Sequence, residues 1–92
     1  MENIEQASLA QIGSYFLDMY DESIRDDDNM DMVEAAAEIV TAEIVRRVGV
    51  DKIRHLMDFH YKAWADAEEG ERMERFYEFK AMTVAFDELK QS

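Results

Sequence analysis

Apolar side chains recur three and four positions apart along the whole chain, and no stretch alternates apolar with polar in the two-residue period of a strand. Ile4, Ile12, Phe16, Met19, Tyr20 and Ile24 trace one helical face. Val33, Ala37, Val40, Ile44 and Val48 trace a second, and Ile53, Leu56, Met57, His60, Ala63, Trp64 and Ala67 a third. Continued past Gly70, the third stripe would fall on Glu71, Glu74 and Glu78; apolar positions restart instead at Met73, Phe76, Tyr77, Ala81 and Val84. That change of phase predicts a turn near 69–71. The pattern as a whole predicts an all-α protein, a small antiparallel helical bundle of about four helices over 3–25, 29–48, 51–69 and 71–90. One long kinked helix is the alternative for the last two.

The boundaries have local causes. NIEQ places an amide at Asn3 and Gln6 three residues on, the pattern of a capping box. Asp26, Asp27 and Asp28 disfavour helix interiors and favour caps, so RDDDNMDMVE reads as the junction between the first two helices. Arg46 and Arg47 in a last turn, followed by Gly49, mark the end of the second helix. Val50 and Asp51 supply a staple and a cap for the third. Gly13 falls inside the first helix, where its small size allows close approach of a neighbour.

At 92 residues the chain is expected to be a single domain, 1–92, with a thin margin of stability. It has no cysteine, so neither a disulfide nor a thiolate metal site supplements the core. No apolar run approaches the roughly 20 residues that span a bilayer. MENIEQ lacks the basic and apolar parts of a secretion leader, so the cytoplasm is the expected compartment.

Charge changes the picture most. The net charge is −12, and it is uneven: residues 1–49 hold 12 acidic and 3 basic side chains, residues 50–92 hold 10 and 7. A field of this sign repels DNA, RNA and anionic lipid, and favours a basic partner. Direct nucleic-acid binding and membrane binding are therefore not expected. Between residues 18 and 38 lie Asp18, Asp21, Glu22, Asp26, Asp27, Asp28, Asp31, Glu34 and Glu38 against the single cation Arg25. On a helix, side chains three or four apart sit about 5–6 Å from each other. That is comparable to the spacing of phosphates along a nucleic-acid strand. These nine carboxylates are the expected acidic binding surface.

Catalytic patterns are scarce. A calcium loop started at Asp21 or Asp26 lacks the glycine and the closing glutamate it needs. His55 and His60 are five apart and share no helix face, and neither follows a glutamate by three. ERME at 71–74 sets Glu71 and Glu74 three apart, as in the magnesium sites of helical nucleotide pyrophosphohydrolases. The second Glu-x-x-Asp pair of that pattern is missing. No phosphate loop or nucleophile elbow occurs. Arg46, Arg47, Lys52 and Arg54 are too loose a group for a helix-turn-helix reader. The expectation is a non-enzyme with no catalytic residue, no metal site and no cofactor.

The last helix is apolar on more than one side. Phe76, Tyr77, Phe79, Met82, Phe86 and Leu89 cannot share one narrow face, which predicts an apolar interface and a homo-oligomer, a dimer first of all. The alternative places this helix at the centre of the bundle. In its profile (small, acidic, helical, without cysteine or catalytic motif) the chain is similar to phage and mobile-element proteins that inhibit host restriction or CRISPR machinery. That resemblance is one of composition and carries over no residue. The leading expectation is a nucleic-acid-mimicking inhibitor of a basic nucleic-acid-binding protein, of the anti-restriction or anti-CRISPR type. Two alternatives stand beside it. One is an oligomeric helical adaptor or assembly protein using the apolar face of the last helix. The other is a nucleotide- or small-ligand-binding oligomer with Tyr15, Tyr20, Arg25 and Arg54 as contacts.

Overall fold

The computed structural model describes residues 3–25 and 30–91. Among them are four α-helices: α1 (Leu9–Arg25), α2 (Met30–Val48), α3 (Ile53–Ala65) and α4 (Arg72–Gln91). Single 3-10 turns precede three of them, at Ile4–Gln6, Val50–Lys52 and Glu69–Glu71. The all-α bundle expected from the periodicity is what the chain forms. Asp26, Asp27 and Asp28 of the expected junction, with Asp28 or Asn29 as the expected cap of α2, lie outside the described residues.

The first helix begins later than NIEQ suggested. Asn3 sits in the left-handed region at φ 61°, which asparagine tolerates better than most residues, and it opens only a 3-10 turn. Ala7 is extended, and the capping box forms five residues on. The Gln11 amide donates to Ser8 Oγ at 3.1 Å, and the Ser8 amide donates to Gln11 Oε1 at 2.8 Å. SLAQ satisfies the same rule as NIEQ, and here both orphan donors are matched.

What holds the preceding turn in place comes from far along the chain. Glu43, only 5% exposed, accepts from Arg46 Nε and Nη2 at 2.9 and 2.6 Å and from Arg47 Nε at 2.5 Å. Arg47 Nη2 then donates to the Ile4 and Ala7 carbonyls at 2.9 and 2.7 Å. A carboxylate that buried is tolerable only because charged donors surround it. Hydrogen bonding by Arg46 outweighs burial and, with Arg47, lowers the Glu43 pKa to about 2.

The core is built from Ile12 and Phe16 of α1, Ala36, Ala37, Val40 and Ile44 of α2, Ile53 of α3, and Ala81, Met82, Val84 and Ala85 of α4. Removing a side chain such as Ile12 or Ile44 from water contributes about 2 kcal/mol. α1 and α2 run antiparallel, with Arg47 reaching Ile4 and Ala7 at one end and Tyr20 and Val33 lining one recess at the other. α3 and α4 form a second antiparallel pair. Trp64 stacks on Phe79 at 6.0 Å and tilts against Phe76 at 5.5 Å, and Tyr61 meets Phe79 edge-on at 5.5 Å.

α4 packs against all three other helices, so the broad apolar face of the last helix is largely accounted for within the chain. Gly13 is what allows α1 so close. A Cβ there would sit 2.6 Å from the Tyr77 carbonyl carbon. The third helix is shorter than the range 51–69 because it stops at Ala65. Asp66–Glu68 make the reversal, with Glu68 extended at φ −71°, ψ 158°. α3 and α4 are therefore separate helices, not one kinked rod. Gly70 has open space around it and an ordinary φ, so it is not the residue that the turn requires. The junction of α2 and α3 does require a glycine: Gly49, at φ 81°, ψ 153°, occupies a region closed to side chains.

Candidate functional site

Six of the nine expected carboxylates lie among the described residues, and all six are exposed. Asp18, Asp21 and Glu22 project from the outer side of α1. With Tyr15, Met19 and Arg25 they line a shallow polar recess of about 310 Å³ to which α2 contributes nothing. Arg25 lies among them, so this stripe carries its own cation. Asp31, Glu34 and Glu38 form a second stripe along α2, three and four residues apart, and among the described residues no cation pairs with it. The arginines at the end of the same helix point to Glu43 instead. Glu38 also borders an apolar recess of about 340 Å³ shared with Thr41, Ala42, Glu88 and Leu89. The expected single surface is thus two stripes among the described residues, the α2 stripe being the more negative. Asp26, Asp27 and Asp28 lie outside the described residues.

Charge pairing elsewhere sharpens the contrast. Among the described residues, ion pairs join Glu43 to Arg46 and Arg47, and Glu78 to Arg75 at 2.7 Å. Lys80 stands 5.8 Å from the centre of the Phe16 ring, within cation–π range. Among the described residues none of the six carboxylates enters an ion pair.

The expected apolar interface divides. Met82 is 2% exposed and belongs to the core, so it is not available to a partner. Phe76 and Phe79 are half-buried in the aromatic cluster with Trp64 and Tyr61, and Tyr77 lies over Gly13. Phe86 and Leu89 remain partly open, at a recess of about 340 Å³ lined also by Val50, Ile53, Arg54 and Lys90. Val50 in that recess is itself 55% exposed, and the large apolar side chains more exposed than it are Phe59 at 59% and Met73 at 57%; Ile24, Met30 and Tyr61 are exposed as well. Phe59 falls off the Ile53–Leu56–His60 stripe, a mismatch that the sequence already contained.

The residues named for a small ligand do not converge. Tyr15 and Arg25 share the α1 recess, Tyr20 lines another with Phe16, Leu17, Val33 and Lys80, and Arg54 belongs to the recess at the end of α4. His60 is half-buried, and burial lowers its pKa against the opposing pull of Glu78. His55 is exposed, and Glu71 and Glu74 are exposed at the start of α4. Among the described residues no group of three or more histidine or carboxylate side chains is placed to hold a metal, and no helix is long and apolar enough to cross a membrane.

Fold and surface together define a small all-α protein that carries carboxylate stripes on two helices. No protein-family model, curated protein or solved structure matches the chain.

Proposed function

We propose that this protein is a non-enzymatic acidic binding protein, and that its carboxylate stripes occupy the nucleic-acid groove of a basic partner. The α2 stripe carries the reading. Asp31, Glu34 and Glu38 stand exposed on one helix with no counter-ion among the described residues, while the arginines of that helix are held by Glu43. Like charges at this spacing cost a helix about 0.2–0.5 kcal/mol per pair, a cost that lysine and arginine side chains of a partner would offset. A preformed helix fixes the charges without ordering a loop on binding, and complementary fields speed encounter. In this reading the protein acts as small phage inhibitors of restriction or CRISPR systems do, in the cytoplasm, and needs no catalytic residue or cofactor.

The test neutralises two carboxylates of the stripe. The double variant Asp31→Asn, Glu34→Gln, immobilised beside the parent chain, should lose capture of a nucleic-acid-binding protein while keeping its helical circular dichroism. Equal capture by both chains would overturn the reading. It would favour the adaptor alternative, whose own support is the exposure of Phe59, Tyr61 and Met73.

A further inference from the structure

Two apolar recesses meet at the C-terminal end of α4, and Leu89 belongs to both. On one side the recess is lined by buried Ile53, half-buried Phe86 and exposed Val50, and its charged lining groups are Arg54 and Lys90. On the other side Thr41 and Ala42 line the recess, and its charged lining groups are Glu38 and Glu88. None of these four charged side chains enters an ion pair among the described residues. In a chain of net charge −12, a rim whose charged groups are all cationic is an exception that calls for an anionic counterpart. The neighbouring rim is that counterpart, of equal and opposite charge, across a shared leucine. Helix-end fields do not decide the matter. α3 starts and α4 ends at the cationic recess, so their dipoles oppose one another there.

We propose that this bipolar patch is the interface of an isologous dimer of this chain. A two-fold axis near Leu89 sets Arg54 and Lys90 of each copy against Glu38 and Glu88 of the other, with Phe86, Leu89 and Val50 enclosed between them. Two-fold symmetry requires that contacts be reciprocal, and a patch with adjoining halves of opposite sign meets that requirement in one surface. Head-to-tail growth does not fit, because one bound copy covers both halves. The patch is smaller than the 20–30 residues a side of a standard interface, so the association is weak and depends on concentration. Net like charge opposes it at low salt. At about 0.15 M that repulsion is screened beyond about 8 Å, while contact pairs persist.

Sedimentation equilibrium over about 10–500 µM, the range that brackets a weak dimer, tests the proposal. The expected mass rises from 10.8 kDa to twice that value and stops there. Two charge-reversed chains supply the decisive arm, Arg54→Glu with Lys90→Glu, and Glu38→Lys with Glu88→Lys. Each alone should associate at least about tenfold more weakly, because every cross-contact becomes like-charged. An equimolar mixture should recover the dimer, since each contact is again between opposite charges. A parent chain that stays at 10.8 kDa, a mass that keeps growing, reversed variants that dimerise like the parent, or a mixture without recovery would each overturn it. Glu38 is common to this patch and the α2 stripe, but Asp31 and Glu34 lie outside the patch. Because the readout here is mass, and capture is tested at Asp31 and Glu34, failure here leaves the α2-stripe reading standing, and the reverse.

Discussion

Replacing Arg47 by methionine should unfasten the N-terminal turn and lower global stability. The guanidinium makes one bond to Glu43 and two to the Ile4 and Ala7 carbonyls. Hydrogen bonds to a charged group contribute about 1.5–3 kcal/mol each. The full sum is not lost. Arg47 is 23% exposed, Glu43 keeps both bonds from Arg46, and the two carbonyls regain water once the turn frays. A net loss of about 2–3 kcal/mol follows, out of the roughly 5–14 kcal/mol that a chain of this length commands. In a domain this size that corresponds to a fall in Tm of about 10–20 °C, measured by far-ultraviolet circular dichroism. Amide exchange supplies the local readout. The Gln6 and Ala7 amides, bonded to Asn3 and Ile4 carbonyls, should exchange at nearly unprotected rates. Arg47→Lys, which keeps the charge and loses the fork, should fall between. A Tm within about 3 °C of the parent, with Gln6 and Ala7 still protected, would refute the assignment of Arg47 as the clasp.

Two further stability outcomes follow from the same packing. Gly13→Ala should destabilise by about 1–3 kcal/mol, because the new methyl meets the Tyr77 backbone and α1 must move off α4, despite the roughly 1 kcal/mol that alanine gains in helix propensity; a urea midpoint equal to or above the parent's would contradict the close approach. Glu43 binds a proton near pH 4.5 when unfolded and only near pH 2 when folded, so its ionised form contributes stability fully above pH 4.5, and that contribution is lost as the pH falls towards 2. Glu43→Gln should therefore be less stable than the parent at pH 6, and the gap should narrow steadily from pH 4.5 to 2; a gap independent of pH would contradict it.

Much of the fold was legible because its signals are local. Val48 as the end of α2 follows from Arg46, Arg47 and Gly49, neighbours in sequence that act at one helix end. The start of α1 was not legible, because NIEQ and SLAQ both obey the capping rule. The choice between them involves Arg47, some 40 residues away. The phase change in the apolar pattern predicts the reversal near 69–71, around Gly70, a residue with loop propensity. The chain turns instead where Tyr61 and Trp64 can fold back on Phe76 and Phe79. The site shows the same division. Acidity between residues 18 and 38 is plain from composition, but its separation into an α1 stripe holding Arg25 and an α2 stripe without a cation depends on how the two helices are rotated in the bundle. That rotation is set by contacts such as Val40 and Ile12 in the shared core. Met82 belongs to the expected interface because the apolar positions of the last helix exceed one narrow face; the central position of α4 puts it inside.

The central claim is that this surface is read as nucleic-acid charge, and competition measures that directly. Immobilised protein should capture a partner from cell lysate at about 0.1 M salt and release it near 1 M, where the screening length falls from about 10 to 3 Å. Added DNA or RNA should displace the same partner at low salt. A partner that nucleic acid does not displace, that survives 1 M salt, or that binds the Asp31→Asn, Glu34→Gln chain equally well would contradict the account.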